Sequence, residues 1–380
     1  MAPGTAEQLL KKARSAFEKH SYDEALKNCK EAIAVVDKEM AGPAAARMRA
    51  DVLLLMADTK DISGAWVDAI LYLDGVSQIS LSLGDNKLAI ESLIRAGYIM
   101  GKKGKWLDAE KKFEKAESLS QKHGNHRLLG RALAGQGIVR WRQGKYLEAI
   151  RYGEKAAEIG KRMRDDELTG KAMSLISNVR FDRGEYEASI TCNAEALAAF
   201  EKLKDDIEIA RLLNNSGETY KMMGELKKAL EYFDNSVKVA ERSGNKRTMG
   251  YAMTNLAESS IRLGDVAKAR KHAAKAEDAF AGMEDKYALA NLSMVWGLIH
   301  ESEGKHAEAD ASFEKGRSTM VELGIPYDTG VIALEHGRAL AKRGDGAGAK
   351  IALTAAVHAF TAADAGSMRE RAEKELAALS

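Results

Sequence analysis

The sequence predicts an all-α chain, a solenoid of antiparallel helix pairs, and three observations carry that expectation. Glycine stands at Gly64, Gly104, Gly144, Gly184, Gly224, Gly264, Gly304 and Gly344, an interval of forty residues kept without insertion or deletion. Five residues after each comes a small one, Ala69, Ala109, Ala149, Ser189, Ala229, Ala269, Ala309 and Ala349, so the period belongs to a packed unit and not to turns alone. Only three prolines occur, Pro3, Pro43 and Pro326, each near an end of the chain or in a junction, which leaves every long segment free to be helical. Self-similarity at such a period marks units that bury their apolar faces by stacking on their neighbours. Arrays of this kind work by offering a surface, so the question is which partner and not which reaction.

In chain order, residues 5–45 read as an N-terminal capping repeat: Ala25 stands 44 residues before Ala69, and the segment KEMAGPAAARMRA absorbs the offset. Residues 50–363 read as eight repeats of forty, within a single solenoid spanning 1–380. One unit shows the construction. In GRALAGQGIVRWRQG, Ala134, Ile138 and Trp141 fall at helical spacing before Gly144, where the lack of a Cβ lets the chain take φ > 0 and close the helix. The next segment, KYLEAIRYGEKAAEIGKRMR, places Tyr146, Ala149, Ile150, Ala156 and Ile159 on one face and reaches Asp165. Asp or Asn recurs in that junction as Asp85, Asn125, Asp165, Asp205, Asn245 and Asp285, residue types that cap the free N–H groups of a starting helix.

Within the first helix of a unit, Gly97, Gly137, Gly217, Gly297 and Gly337 are expected to face the small Ala116, Ala156, Ala196 and Ala276 of the second. A mid-helix glycine costs about 1 kcal/mol against alanine, which a close approach of two backbones would offset. Tyr22, Trp66, Trp106, Tyr146 and Tyr186 open the second helices and are expected in the core. At the end, residues 366–380 form a capping helix whose Met368, Ala372, Leu376 and Leu379 share one face.

Composition narrows the function. The formal charge is +2; residues 91–200 hold 21 Lys/Arg against 15 Asp/Glu, so that segment is +6 and the rest −4, too mild and too scattered for a nucleic-acid binder. Cys29 and Cys192 are too few for a disulfide framework or a zinc site and read as buried small residues. The opening MAPGTAEQLLKKA holds no apolar run of a signal peptide, and no stretch is long enough to span a bilayer, so a cytoplasmic protein is expected. His123 and His126 in KHGNHR flank a junction without a third ligand, and no phosphate-binding glycine motif occurs. Asp165, Asp166 and Glu167 read as helix-start acids. No catalytic constellation, metal or cofactor is expected.

The pattern of small residues with an aromatic ahead of them, as in YLEAIRYGEKAAEI, LKKALEYFDNSVKV and HAEADASFEKG, resembles the tetratricopeptide repeat over residues 5 to about 363. The unit is longer than that repeat and replaces its closing proline with G-N or D-D junctions, as in Pins/LGN-type adaptors and MalT-type sensor arrays. The resemblance implies a right-handed superhelix whose first helices line a concave groove. Carried over position by position, it implies groove residues Arg95, Arg131, Trp141, Arg142, Lys171, Asn178, Phe181, Arg211, Asn214, Asn215, Thr254 and Asn255. Asparagine is a poor helix-interior residue, so its recurrence on one face points to a use: its amide can donate to and accept from a peptide bond at once. The basic residues would add selectivity for carboxylates.

These features lead to a non-enzymatic adaptor that binds a partly acidic peptide segment of another protein. The alternative is a peptide-responsive sensor similar to Rap-type regulators, although their N-terminal three-helix effector bundle is hard to place where repeats begin near residue 5.

Overall fold

The computed structural model describes residues 4–283 and 285–379; Met1, Ala2, Pro3, Glu284 and Ser380 lie outside the described residues. The described residues contain nineteen α-helices and no strand. The chain divides into two compact units, Met1–Leu203 and Lys204–Ser380.

The first unit holds five helical hairpins. They are α1 (Gly4–Glu18) with α2 (Tyr22–Glu39), α3 (Gly42–Ile62) with α4 (Trp66–Ser82), α5 (Asn86–Lys102) with α6 (Trp106–Lys122), α7 (His126–Arg142) with α8 (Tyr146–Met163), and α9 (Asp166–Asp182) with α10 (Tyr186–Leu203). The second unit holds four more: α11 (Asp206–Met222) with α12 (Leu226–Arg242), α13 (Lys246–Arg262) with α14 (Val266–Phe280), α15 (Lys286–Ser302) with α16 (His306–Glu322), and α17 (Pro326–Lys342) with α18 (Gly346–Ala362). The lone α19 (Gly366–Ala377) then packs on α18. No helix among the described residues is long and apolar enough to cross a membrane.

Local chemistry sets these boundaries. Each recurring junction glycine, Gly144 at φ 74° among them, takes the left-handed conformation that ends an odd-numbered helix. Asp85, Asn125, Asp165, Asp205, Asn245 and Asp285 each accept the backbone N–H three residues on, as the sequence led one to expect. Where the column reads Ile325, Pro326 follows at the first helical turn and removes an N–H that would otherwise need a cap.

Within each unit the odd-numbered helices touch one another as well as their even partners (α5 with α7, α7 with α9, α11 with α13, α13 with α15), whereas no even–even pair makes comparable contact. The odd helices therefore line the inner side of each unit and the even helices its outer side.

The interior corrects two expectations. The mid-helix glycines do not face alanines. A Cβ on Gly97, Gly217 or Gly297 would meet the ring of Phe113, Phe233 or Phe313 at 2.5–2.9 Å, and one on Gly137 or Gly337 would strike Leu175 or Leu353. The space left by the missing side chain is filled by a large one, each ring being 2% exposed or less. A second set, Gly170, Gly250 and Gly330, receives Phe200, Phe280 and Phe360 in the same way. In α9 the glycine position is Ser177, and its hydroxyl meets that of Ser189 at 2.9 Å while each bonds the other's carbonyl. The aromatic residues that open the even helices are half-buried at the rim of the core: Tyr22 packs edge-on against Phe17, Tyr186 against Phe181, and Trp106 against the backbone of Gly101. A helix's first turn reaches only the border between two hairpins, so the ring covers the core without entering it.

Candidate functional site: the inner faces of the two units

On the inner face of the first unit, Arg95 on α5 is bonded to Asp58 on α3. Arg131 on α7 and Lys171 on α9 share one carboxylate, Glu167, at 2.9 and 2.6 Å. Burial would raise the Glu167 carboxyl, but Lys171 and Arg131 outweigh it and hold the group below its ordinary value. Tyr98 lies beside this trio, its hydroxyl pushed up to about 12 by burial. Two cations on one anion leave the cluster with a net positive charge.

A second cluster forms where α6, α7 and α9 end or begin. Trp141 donates its indole N–H to Asp182 at 2.6 Å. The Arg142 guanidinium lies 4.2 Å from the Trp141 ring centroid and 6.0 Å from that of Trp106, a geometry in which the ring faces attract the cation. Burial raises the Asp182 carboxyl, and the indole N–H and Arg142 only partly offset it. Arg142 is exposed and makes no ion pair among the described residues. Asn178 is half-buried and already bonded, and Phe181 lies against Tyr186.

The second unit overturns part of the expectation. Asn214, Thr254 and Asn255 are buried and turned to internal use: Asn255 donates to Asn214 at 3.1 Å and to Glu218 at 3.0 Å, and the Thr254 hydroxyl donates to the Gly250 carbonyl at 2.9 Å. These positions lie where α11 touches α13, so the amides meet the next helix before any ligand could. Asn215 is half-buried and bonded. Arg211 pairs with Glu208 one turn back on its own helix, at 2.9 Å.

In place of an amide ladder the second unit carries a chain of alternating charge. Lys221 donates to Asn255 at 3.2 Å and to Glu258 at 2.7 Å; Arg262 binds Glu258 at 2.9 Å and Glu335 at 3.2 Å; Arg338 binds Glu335 at 2.8 Å and Glu375 of α19 at 2.8 Å. Burial opposes the charge on Glu258, yet Lys221 and Arg262 pull the carboxyl down to about 2. Sequence reasoning missed this series. Its signal was present in Glu218-x-x-Lys221 and Glu258-x-x-x-Arg262, spacings that set opposite charges on one helix face.

Among the described residues, no group of three or more His, Cys, Asp or Glu is placed to hold a metal ion. Both cysteines are buried, and burial pushes the Cys29 thiol up to about 11.

A solenoid of paired helices with a polar inner face defines the class of helical-repeat proteins. The tetratricopeptide repeat model matches residues 88–162 and 168–242, so the chain carries tetratricopeptide repeats over those residues, and a helical hairpin of the same build recurs through the other described residues. No curated protein matches the sequence. Among solved structures, the apo form of RapI is similar at 14% identity and a TM-score of 0.66, covering 95% of this chain and 99% of that one. Aspartyl phosphate phosphatase F from Bacillus subtilis is similar at 16% identity and 0.62, covering 94% of each. The Rap conjugation gene regulator of the plasmid pLS20, in complex with the Phr* peptide, is similar at 16% identity and 0.60, covering 99% of this chain and 98% of that one. These likenesses concern the fold.

Proposed function

We propose that this chain is a non-enzymatic, cytoplasmic interaction protein that receives a partly acidic peptide segment of another protein on the inner face of its first unit. The observation that carries the reading is Arg142, an exposed guanidinium stacked on Trp141 that makes no ion pair among the described residues, Asp182 acting on it only at longer range. A stacked arginine keeps its donors in a fixed plane, and a carboxylate can take two of them at once. Arg131 and Lys171 add a second positive point, since their shared Glu167 leaves one charge uncompensated. Arg95, Asn178 and Phe181 belong to the same reading as flanking contacts. The second unit contributes less, because Asn214, Thr254 and Asn255 are spent within the fold.

An array of labelled extended peptides of graded acidity, titrated with the full chain and followed by fluorescence anisotropy, tests this. Affinity should rise with peptide acidity and fall with added salt, because exposed charge pairs are screened. Arg142→Glu with Lys171→Glu should weaken it by about tenfold or more while leaving the helical circular dichroism unchanged. If acidic and neutral peptides bind alike, or the double variant binds as wild type does, the reading fails.

A second reading is a regulator that responds to a peptide. The support is the likeness along nearly the whole length to a structure described as in complex with the Phr* peptide. On that reading peptide binding should also change hydrogen exchange in the even helices, which do not line the inner face.

A further inference from the structure

The charge series on the inner face of the second unit contains one contact that passes over a helix. Arg262 on α13 reaches Glu335 on α17 at 3.2 Å, and α15 lies between them in the array. Where α11, α13 and α17 present Glu218, Glu258 and Arg338, α15 presents Leu298; where α13 and α17 present Asn255 and Glu335, it presents Val295. Val295 is buried and Leu298 packs on the core, so the two charges meet over an apolar floor. Neighbouring helices lie about 8–10 Å apart, and a flat array would hold α13 and α17 at about twice that distance. The contact therefore needs an inner face bent toward itself, and it holds the bend.

Each end of this contact shares its remaining partner. Arg262 keeps Glu258, which already serves Lys221 at 2.7 Å, and Glu335 keeps Arg338, which already serves Glu375 at 2.8 Å. Parting the two thus leaves two cations on one carboxylate at α13, and two carboxylates on one cation at α17. The surrounding charges are engaged or distant. Glu218 is held by Asn255 at 3.0 Å, Glu301 by His306 at 3.1 Å and Arg343 at 3.4 Å, and Arg371 lies beyond Glu375 at 3.6 Å. Asp328 and Lys342, of opposite sign, stand two turns to either side of Glu335 along α17. The side chain of Arg262 is 35% exposed and that of Glu335 11%, so the contact can be reached from solvent.

We propose that Arg262 and Glu335 form a latch that opens for a dipolar ligand, a peptide segment carrying an acidic and a basic side chain next to one another. The ligand's carboxylate takes the place of Glu335 on Arg262, and its cation takes the place of Arg262 on Glu335. Both ends stay paired while α13 and α17 part. A ligand of one sign satisfies one end and leaves the other short of a partner in a site that is already half-buried, which is unfavourable. The curvature of the second unit then depends on what is bound there. This site is separate from the inner face of the first unit and stands or falls without it.

Spin labels on Leu263→Cys, exposed at the end of α13, and Ala341→Cys, half-exposed near the end of α17, report the separation of the two helices in the full chain; the native Cys29 and Cys192 are buried. The ligands are short end-blocked glycine peptides with Glu-Lys or Lys-Glu at the centre, and their Glu-Gln, Gln-Lys and Gln-Gln counterparts, with binding followed by fluorescence anisotropy. A dipolar peptide should lengthen the separation and bind about tenfold tighter than either singly charged one. Glu335→Gln and Arg262→Gln should each lengthen it without ligand. In both variants every neighbouring charge keeps another partner, so the helical spectrum should be unchanged. Glu335→Gln should make Glu-Gln peptides bind as well as dipolar ones, and Arg262→Gln should do the same for Gln-Lys peptides. These preferences should persist with Arg142→Glu and Lys171→Glu in place, which sets capture by the first unit apart. A separation that Glu335→Gln leaves unchanged, equal binding of dipolar and singly charged peptides, no binding at all, or a preference that the two glutamine variants do not move would overturn the proposal. So would a preference that disappears with Arg142→Glu and Lys171→Glu.

Discussion

Glu258 is 7% exposed, and its two cations hold its carboxyl at about 2, against 4.5 for an ordinary glutamate. The folded chain therefore binds this proton less readily than the unfolded chain. The stability contributed is complete above about pH 4.5 and is lost as the pH falls toward 2. Glu258→Gln should lower stability at neutral pH by about 3–5 kcal/mol, because Lys221 and Arg262 lose a buried partner, yet show a shallower decline between those pH values. Urea unfolding across that range checks both parts. The glycine–phenylalanine contacts make a second expectation. Phe280→Ala should cost about 3–5 kcal/mol. Gly250→Val should be strongly destabilising alone and much less so in the Phe280→Ala background, because the two share one space; a double-mutant cycle in urea measures the coupling. The sequence showed at once that Gly97 and Gly217 stood in a helix, but not what they faced, since Phe113 and Phe233 come from the other helix of the hairpin. Asn214 and Asn255 misled for a related reason. A position on the inner face reads as open to ligand until the distance to the next odd helix is known.

Helix ends were the most legible elements. Glycine at φ > 0 and Asp or Asn as an N-cap are local requirements, met within a few residues of chain, so the forty-residue columns placed nearly every boundary. The exceptions are informative. At the junctions after α8, α10 and α18, Arg164, Lys204 and Asp364 adopt φ of 52–53°, where Gly84, Gly124, Gly244 and Gly324 serve elsewhere. A side chain in this conformation costs about 1–2 kcal/mol. Arg164→Gly should therefore raise stability, by less than that strain because the unfolded chain gains freedom, and Gly144→Ala should lower it; thermal melts of the two single variants, compared with wild type, decide the sign of each. The aromatic residues at the even-helix starts were read as core from their size alone, and only packing distinguishes a ring that covers a core from one inside it.

At the scale of the whole molecule, α19 closes the second unit. Its Ala372 is fully buried, Met368 and Leu376 pack around Leu353 and Phe360, and Glu375 ends the charge series through Arg338. Deleting residues 366–380 uncovers that face and should give a protein that aggregates at lower temperature, read by light scattering during heating. A truncated chain as resistant as wild type would show the helix to be dispensable. The array itself was visible in the spacing alone, whereas the division at residue 203 was not, because the repeat runs through it unchanged. The glycine–phenylalanine contact also bears on how such a chain can be copied. Gly217 and Phe233, or Gly330 and Phe360, are separated by 16 or 30 residues and belong to one hairpin, whereas Gly135 on α7 meets Phe113 from the hairpin before it. A duplication or exchange with its joints at the glycine or Asp/Asn turns between hairpins transmits ring and notch together, and the newcomer arrives with its own fit already made. A joint inside a hairpin parts them and brings a ring against a side chain. Gene shuffling should thus tolerate whole hairpins and reject halves, which would let an array of this kind change length while keeping its interior.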